Sequence, residues 1–211
     1  FTIDEETGMT GALGLQGGLL NADILLNLDT EDDDEISIGC AGGVDLTSTG
    51  TYDVENTVSE GNSAFNIVVK GGSGGHSGMD IHKGIANANK LLNRLLLEAV
   101  EAVDLRVCSI NGGGLRNAIP REAQATIIIT NADVHELNSA IDSTSNDLLA
   151  EYKVTDPDLN ISINPTDFPE NALPEEVQNA LLLSIQACPV GIHRMSPDIE
   201  GLVQTSNNLA R

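Results

Sequence analysis

The pattern of apolar and polar positions divides the chain into a short acidic opening and a longer stretch of alternating strands and helices. Residues 1–3 read as the end of a strand, 4–7 as a turn, and 8–14 as a short stretch, at most helical, punctuated by Gly8, Gly11 and Gly14. Residues 22–28 form a mostly apolar run broken by Asp23 and Asn27, which predicts a buried strand ending at Asp29. A second short strand is predicted over 36–40, and Ala41-Gly42-Gly43 marks the exit from this first part. Residues 47–62 are polar and turn-rich. Residues 64–70 then alternate in strand fashion, with Phe65, Ile67 and Val69 on one face. Gly71 to Gly78 is a glycine loop carrying His76.

Helical spacing of Ile85, Ala88, Leu91, Leu92, Leu95, Leu96 and Ala99 predicts a helix over 82–103. A strand over 105–110, a turn at 111–114, a strand over 123–130 and a helix over 133–152 complete a strand–helix–strand–strand–helix order. That order is the ferredoxin-like split unit. Asp156-Pro157-Asp158 reads as a boundary. Beyond it a strand over 159–164, a helix over 173–188 opened by Pro174-Glu175-Glu176, and strands near 194–195 and 201–209 suggest a second unit without its closing helix. This second unit can be read as a degenerate repeat of the first. The expected division is therefore 1–42, 43–155 and 156–211, in an α/β chain whose larger part is α+β.

Composition narrows the class. With three Phe, two Tyr and no Trp, the interior must be filled by Leu, Ile, Val and Ala. A formal charge of −22 argues against a nucleic-acid or anionic-membrane partner. Cys40, Cys108 and Cys188 are widely spaced and lack any CxxC pairing, which suits reduced thiols in a cytoplasmic protein. The most apolar helix carries Asn93, Arg94, Glu98 and Glu101, so no membrane span is expected. The chain opens on Phe1 and is expected to be a piece of something longer.

The candidate chemistry lies in Glu5-Glu6 and Asp29. Carboxylates at the ends of buried strands are costly unless a cation meets them, and one divalent ion can serve two. In such a pair one carboxylate can bind metal while its neighbour accepts a proton from water. A solvated acidic turn is the alternative, and the run Glu31-Asp32-Asp33-Asp34-Glu35 fits that description. A phosphate loop is excluded for the early glycines, since neither a Lys-Ser/Thr pair nor a G-x-G-x-x-G fingerprint follows them.

The ordered motifs T-I-D-E-E-T-G-M-T-G-A-L-G-L, D-I-L-L-N-L-D-T-E, C-A-G-G, K-G-G-S-G-G-H-S-G, L-R-N-A-I-P-R-E and E-G-L-V-Q-T-S-N-N-L run through essentially the whole chain. They resemble the aminoacyl-histidine dipeptidases, members of the di-zinc superfamily of aminoacylases and glutamate-type carboxypeptidases. The resemblance implies part of a zinc-peptidase catalytic sheet followed by most of an inserted lid. It implies Glu5 as general base, Glu6 and Asp29 as zinc ligands, and His76 and Asn117 as lid residues contacting substrate. Two zinc ions per complete site, a dipeptide substrate of the Xaa-His type and a homodimer formed through the lid are further implications. The family's upstream His-x-Asp, bridging Asp, late His ligand and lid Arg have no counterpart here, so this piece alone is expected to be inert and to hold little or no metal. Two other readings stay open: a non-catalytic association module, and a relative acting on N-acyl amino acids. A guanidinium of Arg116, Arg121 or Arg194 could fix the terminal carboxylate of a dipeptide, but surface ion pairing is the expected role of each.

Overall fold

The computed structural model describes residues 3–4, 9–24, 34 and 41–211. These fall into two compact units, 1–44 and 45–211. In the first, α1 is a single turn, Thr10–Leu13. The Thr10 hydroxyl donates to Asp4 Oδ2 at 2.6 Å. Glu5, Glu6 and Asp29, and most of the two strands expected around Asp29 and Cys40, lie outside the described residues.

The second unit is built on a four-stranded antiparallel sheet. Its strands are β2 (Asn62–Lys70), β4 (Leu105–Gly112), β6 (Ala123–Thr130) and β7 (Asn160–Pro165), in the order β4-β6-β2-β7. Three helices belong to this unit: α2 (Ala88–Ala102), α3 (Val134–Tyr152) and α4 (Glu175–Ala187). With α2 between β2 and β4 and α3 between β6 and β7, the order is that of the ferredoxin-like split unit. Phe65, Ile67 and Val69 of β2, with Ile127 and Ile129 of β6, bury one sheet face against Leu91, Leu92, Leu95 and Leu96 of α2 and Leu137, Ile141 and Leu148 of α3. The Leu-Ile-Val interior expected from the scarcity of aromatic residues is therefore present. Minor pairs complete the unit: β1 (Glu55–Asn56) with β8 (Asn171–Ala172), β3 (Gly75–His76) with β5 (Ala118–Ile119), and β9 (Gly191–Met195) with β10 (Val203–Asn207).

Two expectations are corrected. The strand expected to open a second, repeated unit is β7, and it pairs with β2 from Phe65↔Pro165 to Lys70↔Asn160. It completes the first sheet, because central β2 has two edges and only one is taken by β6. The helix expected over 82–103 begins at Ala88 instead. Gly84 adopts φ 66° and ends a short 3₁₀ turn at Ile81–Lys83, and Asn87 then caps α2, its side chain accepting from Lys90 N–H at 3.2 Å.

Helix α4 is tied to this core by polar groups. Lys90 Nζ donates to the carbonyls of Ile185 (2.7 Å), Gln186 and Cys188 (both 2.9 Å), satisfying the last turn of α4. Buried Gln178 acts as a surrogate strand on the outer edge of β4. Its Oε1 accepts from Val107 N–H at 2.7 Å and its Nε2 donates to Leu105 C=O at 3.0 Å. Leu173 N–H donates to Val107 C=O beside it, at 2.8 Å. These bonds close part of an edge that would otherwise invite another strand. Gln178→Leu removes both partners from buried backbone groups and is expected to lower stability by about 2–4 kcal/mol. A urea midpoint unchanged from wild type would show that the amide contributes nothing.

Candidate functional site

The loop that leaves β2 is shaped by close backbone approaches. Gly71 turns at φ 79°, where any side chain would collide with the Asp158 carbonyl. Gly72 and Arg121 exchange two bonds, Gly72 N–H to Arg121 C=O and Arg121 Nε–H to Gly72 C=O, both at 3.1 Å. Below the loop lies Asp156, 1% exposed. Its Oδ1 accepts from Ser73 N–H and its Oδ2 from Ala86 N–H, each at 2.8 Å. The Ser73 hydroxyl adds a bond to Thr155 C=O at 2.7 Å. The Asp-Pro-Asp sequence that reads as a boundary thus supplies the anchor of the glycine loop. One carboxylate joins three chain segments that are remote in sequence.

The anchored loop brings the backbones of His76 and Asn117 into one ribbon. In the β3–β5 ribbon Gly75 pairs with Ile119 and His76 with Ala118, and the next rung is Ser77 N–H donating to Asn117 C=O at 2.8 Å. The two residues, 41 positions apart in sequence, therefore lie diagonally across the ribbon, His76 opposite Ala118 and Asn117 opposite Ser77. Asn208 Nδ2 donates to Ala118 C=O at 2.8 Å and fastens the ribbon to the end of the chain. The His76 side chain is exposed, and Asn117 is partly buried.

His76 is held from two sides. Asp80 Oδ2 accepts from His76 N–H at 2.7 Å, and Asp80 N–H donates back to His76 C=O at 2.9 Å. Gly78 and Met79 N–H donate to His76 Nδ1 at 3.1 and 3.2 Å. Lys83 Nζ lies 2.6 Å from the other Asp80 oxygen. The Lys83 hydrogen bond, followed by that from His76 N–H, holds the Asp80 carboxyl below its ordinary value of 3.8. A lowered value means the clasp contributes fully above 3.8 and is lost as acid titrates Asp80 through its folded-state value. Lys83→Met is expected to raise the midpoint of the Asp80 carboxyl carbon in an NMR titration. An unmoved midpoint would refute Lys83 as the main cause.

The arginines differ from one another. Arg116 pairs with Asp45 at 2.9 Å with both side chains about half exposed or more, the expected surface ion pair. Arg121 is instead a backbone tie within the loop, and Arg194 has no ion pair among the described residues. No group of three or more His, Cys, Asp or Glu that could hold a metal occurs among the described residues. The supports missed in the sequence are Asp80 and Asp156. The only local signal was an Asp four residues after the His in a glycine loop, and nothing near Asp156 pointed to Ser73 and Ala86.

With this geometry described, residues 58–156 are found to match the model of the peptidase dimerisation domain. The matched span runs from β2 through α3 and so takes in three strands of the antiparallel sheet and two of its helices. Across 209 residues, 99% of its length, the chain is 43% identical to the cytosol non-specific dipeptidase of Escherichia coli. It spans 43% of that relative's own length. A crystal structure of the aminoacylhistidine dipeptidase of Vibrio alginolyticus matches 99% of the chain at 35% identity and a TM-score of 0.78, using 42% of that structure. No helix among the described residues is long and apolar enough to cross a membrane.

Proposed function

We propose that the chain is part of a cytoplasmic metal-dependent dipeptidase, supplying one segment of the catalytic domain and the lid that meets the substrate. The observation that carries this reading is the similarity of the chain to two dipeptidases over nearly its full length, with His76 and Asn117 on or next to the two strands of the β3–β5 ribbon. In this reading Glu5 accepts a proton from the attacking water and returns it to the leaving amine. Glu6 and Asp29 are oxygen donors of the kind that bind zinc, two ions completing the site with ligands from outside this chain. When bound, the metal supplies Lewis-acid polarisation of the scissile carbonyl and of water. His76 donates a hydrogen bond to the substrate oxygen on which negative charge develops, and Asn117 orients the dipeptide beside it. The substrate is a dipeptide, with Xaa-His the leading class, and the lid joins two copies into a homodimer.

The test is hydrolysis by the longer protein that carries this chain. Xaa-His dipeptides are expected to be cleaved, with activity lost on chelation and restored by zinc, and His76→Ala is expected to lower kcat by about 10²-fold. The isolated chain is expected to cleave nothing. Turnover of N-acyl amino acids in place of dipeptides, or hydrolysis indifferent to chelation, would overturn this assignment. The association reading rests on the dimerisation-domain match, and a strictly monomeric chain at high concentration would count against it.

A further inference from the structure

His76 makes an unusual use of its ring. Nδ1 accepts from two backbone N–H groups, those of Gly78 at 3.1 Å and Met79 at 3.2 Å. A ring nitrogen accepting such bonds has its lone pair engaged and carries no proton, so the proton of the neutral imidazole resides on Nε2. We propose that the turn from Gly75 to Asp80 is a tautomer lock, which makes Nε2–H the one hydrogen-bond donor of the His76 ring. Asp80 is the positioning residue that holds the lock.

The geometry of the turn carries this inference. Gly78 and Met79 can reach back to Nδ1 only while the chain curls over the ring. The curl is fixed by the reciprocal pair between His76 and Asp80, 2.7 Å from His76 N–H to the carboxylate and 2.9 Å from Asp80 N–H to the His76 carbonyl. Lys83 holds the second carboxylate oxygen at 2.6 Å, so the carboxylate cannot swing away without breaking an ion pair. Residue 75 must be glycine for the carboxylate to sit there, since a Cβ would lie 2.7 Å from Asp80 Oδ2. His76 Nε2 has no partner among the described residues, and the side chain is exposed. The ring thus offers a donor to an incoming oxygen and has no acceptor to offer in its place. Fixing the donor in advance removes a reorganisation step when charge develops on a substrate oxygen. The inference deepens the proposed function and rests on it for the substrate, but the tautomer itself is a property of this chain alone.

Long-range proton–nitrogen spectra of the ¹⁵N-histidine-labelled chain, taken where His76 is neutral and assigned with His76→Gln, read the tautomer directly. A pyridine-like Nδ1 and a pyrrole-like Nε2 are expected. Asp80→Asn keeps an oxygen acceptor for His76 N–H and is expected to preserve the pattern, whereas Asp80→Ala should draw both nitrogens toward averaged shifts. A proton on Nδ1, or averaged shifts in the wild type, overturns the lock. Asp80→Ala spectra identical to wild type overturn the role of Asp80, and the wild type and Asp80→Asn remain decisive should the alanine variant not fold. In the longer protein, Asp80→Ala is expected to lower kcat about tenfold with KM within about twofold, and Asp80→Asn to recover most of the loss. A locked wild-type tautomer together with full activity of His76→Ala would refute the substrate-facing role of His76 while leaving the lock standing.

Discussion

Asp156→Ala is expected to destabilise the second unit by about 3 kcal/mol, although Asp156 touches neither His76 nor Asn117. The side chain is 1% exposed and accepts from Ser73 N–H and Ala86 N–H, both at 2.8 Å. Alanine leaves two backbone donors without acceptors, at about 1–3 kcal/mol each, offset in part where water enters. Asp156→Asn keeps one oxygen acceptor and turns an NH₂ toward the other donor, so it should fall between wild type and alanine. Urea denaturation gives the size of the loss. Amide exchange gives its location, since Ser73 and Ala86 should lose protection before the buried strands β2 and β6 do. Both variants within about 0.5 kcal/mol of wild type would mean that the buried carboxylate is not the anchor of the glycine loop.

The second large effect concerns the proposed chemistry. In the longer protein, Glu5→Gln is expected to lower kcat by about 10²–10⁴-fold with little change in KM. Glutamine preserves size and hydrogen bonding but cannot accept the proton of the attacking water. Metal content should be unchanged by this substitution, because the proposed ligands Glu6 and Asp29 remain. Glu6→Ala should act in the opposite way, lowering metal content together with activity. The contrast separates the two neighbours: a Glu5→Gln variant that loses metal, or retains activity within about tenfold, would refute the division of roles between them.

Much of the fold could be read from the sequence because it depends on local patterns. Strand β6 is the run of Ile, Ala and Thr expected over 123–130. Helix α3, Val134–Tyr152, begins one residue after its expected start. Helix α2 is predicted correctly along its leucine stripe but not at its start. Apolar spacing reports which face is buried and is blind to the left-handed turn at Gly84 that stops the preceding residues from joining the helix. Strand β7 was visible as a strand, yet its partner was not, since alternation fixes which side chains face inward and says nothing of which edge is free.

The candidate site divides along the same line. His76 and Asn117 stand out from their motifs, and that their backbones share one ribbon is visible only where β3 meets β5. The supporting roles of Asp80 and Asp156 are not legible locally because each rests on bonds that form only on folding, one through a turn and the other through contacts 83 and 70 residues away. The interior, the order of strands and helices, and the residue types available for chemistry follow from hydrophobic period and side-chain identity, and so are legible along the chain. Which strand closes the sheet, which carboxylate is buried and which nitrogen of His76 is occupied are settled by folding alone. Those outcomes depend on where backbone N–H and C=O groups from distant segments come to lie, and no local pattern encodes that.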